Sequence, residues 1–136
     1  MTDAKMRFLQ PPGWAAPKGY ANGVVARGQL VFVAGQIGWD AQQRIVAADF
    51  VAQARQALVN IVAVLAEAGA RPEHVVRLTW YVVDRAEYLA GSRALVAAYR
   101  EVMGSHFPAM SAFEVGALIE ESARVEIEAT AVIPDP

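Results

Sequence analysis

The chain of 136 residues is long enough for one domain with a real core and too short for two. Its 19% of charged residues is below the roughly 25% of a typical soluble domain, so part of the surface is expected to be covered by another subunit. A net charge of -2 with no basic stripe argues against nucleic acid or anionic membrane as partners, and the absence of cysteine excludes disulfides, thiolate metal sites and a cysteine nucleophile.

The N-terminal stretch MTDAKMRFLQPPGW has no apolar segment after its charges, and no apolar run reads as long enough to span a membrane; a soluble, cytoplasmic protein is the expectation. Residues 1 to 19 hold Pro11, Pro12, Gly13, Pro17 and Gly19, a density of breakers that predicts an irregular arm ahead of a domain over residues 20 to 133. Trp14 in that arm is expected to pack back onto the body. From Tyr20 two short strands are predicted, meeting at Arg27-Gly28-Gln29, where Gly28 can supply a turn. The second, Leu30 to Gln36, is apolar on both faces, as a central strand would be, and ends among Gly35 and Gly38.

Asp49 is a good N-cap for a helix through about Ala68, with Phe50, Ala54, Ala57, Leu58, Ile61, Val62 and Leu65 on one stripe and Gln53, Gln56, Asn60 and Glu67 off it. Gly69 is placed to end it. The β-branched and aromatic run Val75 to Val83 predicts a strand. Asp84 and Glu87 form a capping-box pattern opening a second helix, with Tyr88, Leu95, Val96, Tyr99 and Val102 on its stripe and Gly104 at its end.

Phe107 to Val132 then reads as two strands joined by an acidic link. In the last, Arg124, Glu126, Glu128 and Thr130 alternate with Val125, Ile127, Ala129 and Ala131. The order is β-β-α-β-α-β-β, an α+β single domain with a mixed sheet and two helices on one face. The other face, where Glu126 points, must be wet or covered by a partner. In an interface cleft a partly desolvated Glu126 could position water or shuttle a proton; on an open face it is simply solvated.

Other chemistry finds little support. His74 and His106 are the only histidines, lack metal-ligand spacing and read as structural. A triad of Ser111, His106 and Glu114 can be written, but Ser111 has no nucleophile-elbow context. Walker, G-x-G-x-x-G and EF-hand motifs are all absent.

The segments GYANGVVARGQLVFVAGQIGWD, QARQALVNIVAVLAEAGA followed by PEHVVRLTWYVVD, then FPAMS and VEIEATAV, resemble in order the RidA (YjgF) family of reactive-intermediate deaminases, from about Tyr20 to Val132. The resemblance implies a chorismate-mutase-like fold, a homotrimer with a ligand cleft at each subunit interface, and release of ammonia from enamine and imine intermediates without a cofactor. It puts the family's cleft tyrosine on Tyr20, its backbone anchor on Gly35, its water-positioning glutamate on Glu126, and its polar residue of the second helix on Ser92 or Arg93; Trp80 lies in a strand bordering the cleft, and Phe107 opens the FPAMS segment beside it.

One departure stands out. Where the best-known deaminases carry P-A-R-S, this chain has Pro108-Ala109-Met110-Ser111. A guanidinium gives a carboxylate two charge-assisted hydrogen bonds, each about 1.5 to 3 kcal/mol, and a thioether gives none. Met110 offers a soft apolar wall instead, which points to a bulkier acid such as an aminomuconate-like ring-cleavage product, with Arg93 a candidate replacement cation. The resemblance therefore predicts a deaminase or hydrolase of altered range; the alternative is a homotrimer that binds a small molecule for regulation without catalysis. Negative charge argues against the endoribonuclease label that members of the family also carry.

Overall fold

In the computed structural model, which describes residues 6–136, strands β1 (Met6–Leu9), β2 (Gly23–Ala26) and β3 (Gly28–Gln36) lead into helix α1 (Phe50–Glu67). Strand β4 (Val75–Val82), helices α2 (Arg85–Ala90) and α3 (Ser92–Met103), and strands β5 (Ala109–Glu114) and β6 (Val125–Pro134) follow. The main sheet has the order β3-β6-β4-β5, with β6 antiparallel to both neighbours and β5 parallel to β4, so it is mixed as expected. The parallel pair requires a crossover, and α2 and α3 supply it.

The alternation in β6 decides how the layers stack. Val125, Ile127, Ala129 and Ala131 are buried under the helices with Leu58, Ile61 and Leu65 of α1 and Leu78 of β4. Glu126, Glu128 and Thr130 therefore line the opposite, uncovered face, where the Tyr81 hydroxyl donates to Glu128 at 2.7 Å. Both ends of α1 are fixed by local chemistry. The Ala52 N–H donates to Asp49 Oδ2 at 2.8 Å, and Gly69 at φ +75° lets the Ala70 and Gly69 N–H groups reach the carbonyls of Leu65 and Ala66, a Schellman closure.

Several expectations are corrected. The arm is not irregular throughout its described part, because Met6–Leu9 pairs antiparallel with β2; residues 1–5 lie outside the described residues. β2 and β3 do not form a hairpin. Gly28, at φ +148°, lets the chain pass from the small sheet to the main one, and a side chain there would collide with the Ile133 carbonyl. β3 is an edge strand rather than a central one, and it is apolar on both sides because Leu30 (58% exposed) and Phe32 (73%) stand on the uncovered face. The second helix is broken at Gly91 into α2 and α3, since glycine is the weakest ordinary helix former and this one leaves little room for a side chain beside the Glu87 carbonyl. Asp84 caps α2 as expected, but Glu87 turns away from a reciprocal cap to hold Arg124 at 2.9 Å.

Trp14 does not pack back. It is 62% exposed, while Gln10 holds the arm through the backbone carbonyls of Trp14 and Ala15 and through Asn22. Gln53, off the apolar stripe, is nonetheless fully buried. Its amide donates to Ala47 O (2.8 Å) and Ser122 O (3.0 Å) and accepts from Arg124 N–H (2.7 Å), pinning two loops to α1. By length and composition α1 does reach a membrane-span threshold, contrary to the expectation that no run would; its apolar stripe packs on the sheet, as a core helix does.

Candidate functional site

Two features on opposite faces of the main sheet gather most of the predicted site residues. The first is on the uncovered face. The β3–β6 register slips between Val33 and Gln36, a bulge that brings Gly35 against the side chain of Glu126. A Cβ built on Gly35 would lie 2.8 Å from Glu126 Cδ and closer still to Oε2, so the absence of a side chain at position 35 is what lets the carboxylate rest there. Glu126 is half-buried and opposite Tyr81 in the β4–β6 register. The hydrogen bond to Glu128 pushes the Tyr81 phenol up from its usual range, helped by burial and by the charges of Glu128 and Glu126. This end of the sheet is thus acidic and holds the phenol protonated.

The second feature is a cavity of about 270 Å³ on the helix side. The β4–β5 register pairs Leu78 with Met110 and Trp80 with Ala112, so Met110 and Trp80 look toward α3 and away from Glu126. The Ala21 N–H donates to Pro108 O at 3.0 Å, an isolated bridge that carries Tyr20 to the start of β5. Phe107 completes the wall, stacked on Tyr99 with ring centroids 4.9 Å apart. The Tyr99 hydroxyl donates to His106 O at 2.6 Å, and burial pushes its pKa well above the usual phenol value.

The structure therefore brings Tyr20, Trp80, Phe107 and Met110 together around one cavity and Gly35 and Glu126 together on the other face. It does not bring Ser92 or Arg93 to either: both are exposed at the start of α3 and lie outside the cavity lining. Lys18, Tyr88 and Tyr99 also line the cavity and were not singled out, although Tyr88 and Tyr99 stood on the predicted stripe; the stripe showed that they faced inward, not that a void lay there.

Both histidines have structural roles. His106 Nε2 lies 2.7 Å from Val75 O, and since a carbonyl only accepts, that nitrogen carries the proton. His74 Nδ1 accepts from the Arg71 N–H at 2.9 Å. Glu114 accepts from the Arg85 N–H at 2.7 Å, so no triad forms with Ser111 and His106. Among the described residues no cluster of three or more histidine, aspartate or glutamate side chains is arranged to hold a metal.

Comparison with known proteins agrees with this fold. The family described as Endoribonuclease L-PSP matches residues 13–133. A RutC family protein of Synechocystis is 34% identical over 136 residues, covering 95% of this chain and 98% of its own. A protein of Salmonella typhimurium named 2-iminobutanoate/2-iminopropanoate deaminase is 36% identical over 113 residues, with 83% and 86% covered. Among solved structures, a Rid-family protein of Yersinia pestis, YyfB, superposes with a TM-score of 0.85 at 34% identity, covering 95% of this chain and 99% of that one. The YjgF gene product of E. coli gives 0.66 at 35% identity, covering 89% and 91%. The sequence motifs, the mixed sheet backed by helices and these matches converge: the chain belongs to the RidA (YjgF) family.

Proposed function

We propose that the protein is a cofactor-independent hydrolase that releases ammonia from an imine or enamine of an unsaturated amino acid, with Glu126 positioning the attacking water. The observation that carries the reading is the seat of Glu126 against Gly35, where a carboxylate is held half-buried beside an open strand edge. The reaction class is supported by relatives at about 35% identity that are named imine deaminases.

The chemistry asked of the residues is modest. An enamine tautomerises to its imine. Water adds to the imine carbon, forming a C–O bond as the C=N π pair moves to nitrogen, and the carbinolamine then expels ammonia to leave a carbonyl. Glu126 accepts a hydrogen bond from the water, takes one of its protons as the C–O bond forms and passes it to the nitrogen. It then takes the hydroxyl proton of the carbinolamine and gives it to the nitrogen as the C–N bond breaks and the carbonyl forms. Because Glu126 and the aromatic cavity lie on opposite faces of one sheet, a complete site takes the glutamate of one protomer and the cavity of the next. A cytoplasmic homotrimer fits this need, and the exposed Leu30, Phe32 and Phe113 on the uncovered face are apolar surface suited to such a contact.

Met110 in the cavity wall favours a larger acid than a small α-imino acid. The same substitution favours the second reading, a trimer that binds such an acid without turning it over. Ammonia release from a panel of enamine acids, each generated in place, separates the two. The hydrolase reading expects turnover that Glu126→Gln lowers by about 100-fold or more. Ligand affinity with no turnover of any panel member, and no difference between parent and Glu126→Gln, would leave the binding trimer.

A further inference from the structure

The cavity is aromatic on most sides, with Tyr20, Trp80, Tyr88, Tyr99 and Phe107 in its walls, and Lys18 is the single charged residue among those that line it. Other cations are spent or elsewhere. Arg100 stands over the Phe107 ring with its guanidinium carbon 5.7 Å from the centroid, outside the lining, and Arg93 is exposed beyond it. No carboxylate of a described residue pairs with Lys18. Its backbone is well fixed: Pro17 precedes it, Gly19 at φ +76° reverses the chain, and the Ala21 bridge to Ala109 ties the segment to β5.

We infer that Lys18 is the anion anchor of this cavity and that the occupant is a flat, unsaturated carboxylic acid, its carboxylate at the Lys18 ammonium and its ring or conjugated chain between the aromatic walls. The inference deepens the proposed hydrolase reading and rests on it for the reaction, though not for binding. Three features combine to select such a ligand. Aromatic faces favour a planar π-system over a short aliphatic chain. Lys18 is exposed and stands at the open side of an otherwise uncharged, largely aromatic lining, where a cation favours one negative charge. A long, flexible lysine at the rim of the cavity suits an acid longer than the substrates that a guanidinium on β5 would hold. At about 270 Å³, just under the roughly 300 to 1,000 Å³ of typical ligand pockets, the space admits a ring and a short acidic chain.

Calorimetry with trans-cinnamate, a planar unsaturated acid that the proposed reaction cannot consume, tests this on the whole protein, with trans-cinnamamide as the uncharged probe. Cinnamate should bind the parent and Lys18→Arg alike and Lys18→Met about tenfold more weakly, while cinnamamide should not distinguish the three. Raising the salt concentration should weaken cinnamate binding to the parent and leave Lys18→Met nearly unchanged. Equal cinnamate affinity in parent and Lys18→Met, or no cinnamate binding by the parent, overturns the anchor. Because cinnamate is not turned over, either result stands apart from ammonia release, whose failure would overturn the hydrolase reading alone.

Discussion

Gly35 and Glu126 occupy the same small volume on the uncovered face of the sheet: the carboxylate fills the space that any side chain at position 35 would need. The bulge in β3 sets Gly35 against that carboxylate. A glycine that the resemblance marks as a backbone anchor thus has a prior structural task, to seat an acid.

Gly35→Ala is accordingly expected to separate activity from stability. The clash falls on the far end of a flexible side chain, so the carboxylate can swing away and thermal unfolding should move by no more than about 1 kcal/mol. Displacing by about 1 Å the group proposed to position water should lower kcat by about 100-fold. Melting curves and ammonia release on the same preparation check both halves. A variant that melts early but turns over normally would contradict the arrangement.

Met110→Arg should widen the range toward small α-imino acids. A guanidinium at this position faces the cavity rather than solvent, and one or two charge-assisted hydrogen bonds of about 1.5 to 3 kcal/mol each correspond to a gain of tenfold or more in kcat/KM. The comparison is parent against variant on 2-iminopropanoate generated in place. No gain would mean that the cavity differs from those of arginine-bearing relatives by more than this one side chain.

Tyr99 gives a pH-dependent outcome. Burial raises its pKa above the ordinary value of about 10, so the folded state prefers the protonated phenol. Its contribution to stability is fully present below about pH 10 and is lost as the pH rises toward the folded pKa. Tyr99→Phe leaves His106 O without its donor and should cost about 1 to 2 kcal/mol at pH 7, while losing less stability than the parent between pH 9 and 11. Denaturant titrations at both ends of that range check the crossover in slope.

The fold was largely legible because its signals are local and repeated: the period of two in Val125–Ala131, the Asp49 and Gly69 ends of α1, and the β-branched run of β4 each specify their element without help from the rest. Strand order was not legible. Nothing local says that β2 pairs backward with Met6–Leu9 rather than forward with β3, or that β3 lies at the edge, because pairing partners are chosen by tertiary packing. Gln53 escaped for the same reason; its partners Ala47, Ser122 and Arg124 lie on loops whose positions sequence periodicity does not describe. In the candidate site, the motif resemblance picked out Tyr20, Gly35, Trp80, Phe107, Met110 and Glu126, but the division of these residues between two faces follows from the β4–β5 and β4–β6 registers. Lys18 was hidden in a stretch of breakers that read only as an arm.

That division is the central claim, and complementation between two defective variants tests it most directly. Glu126→Gln removes the acid and keeps the cavity; Met110→Glu keeps the acid and sets a repelling charge in the cavity wall. Each alone should be nearly inactive in ammonia release. Unfolded together and refolded as mixed oligomers, they should recover about a quarter of parental activity, the share of interfaces that join an intact acid to an intact cavity under random assembly in a closed ring. Mixed oligomers that form and remain inactive, or a protein that stays monomeric while active, would contradict a site shared between protomers.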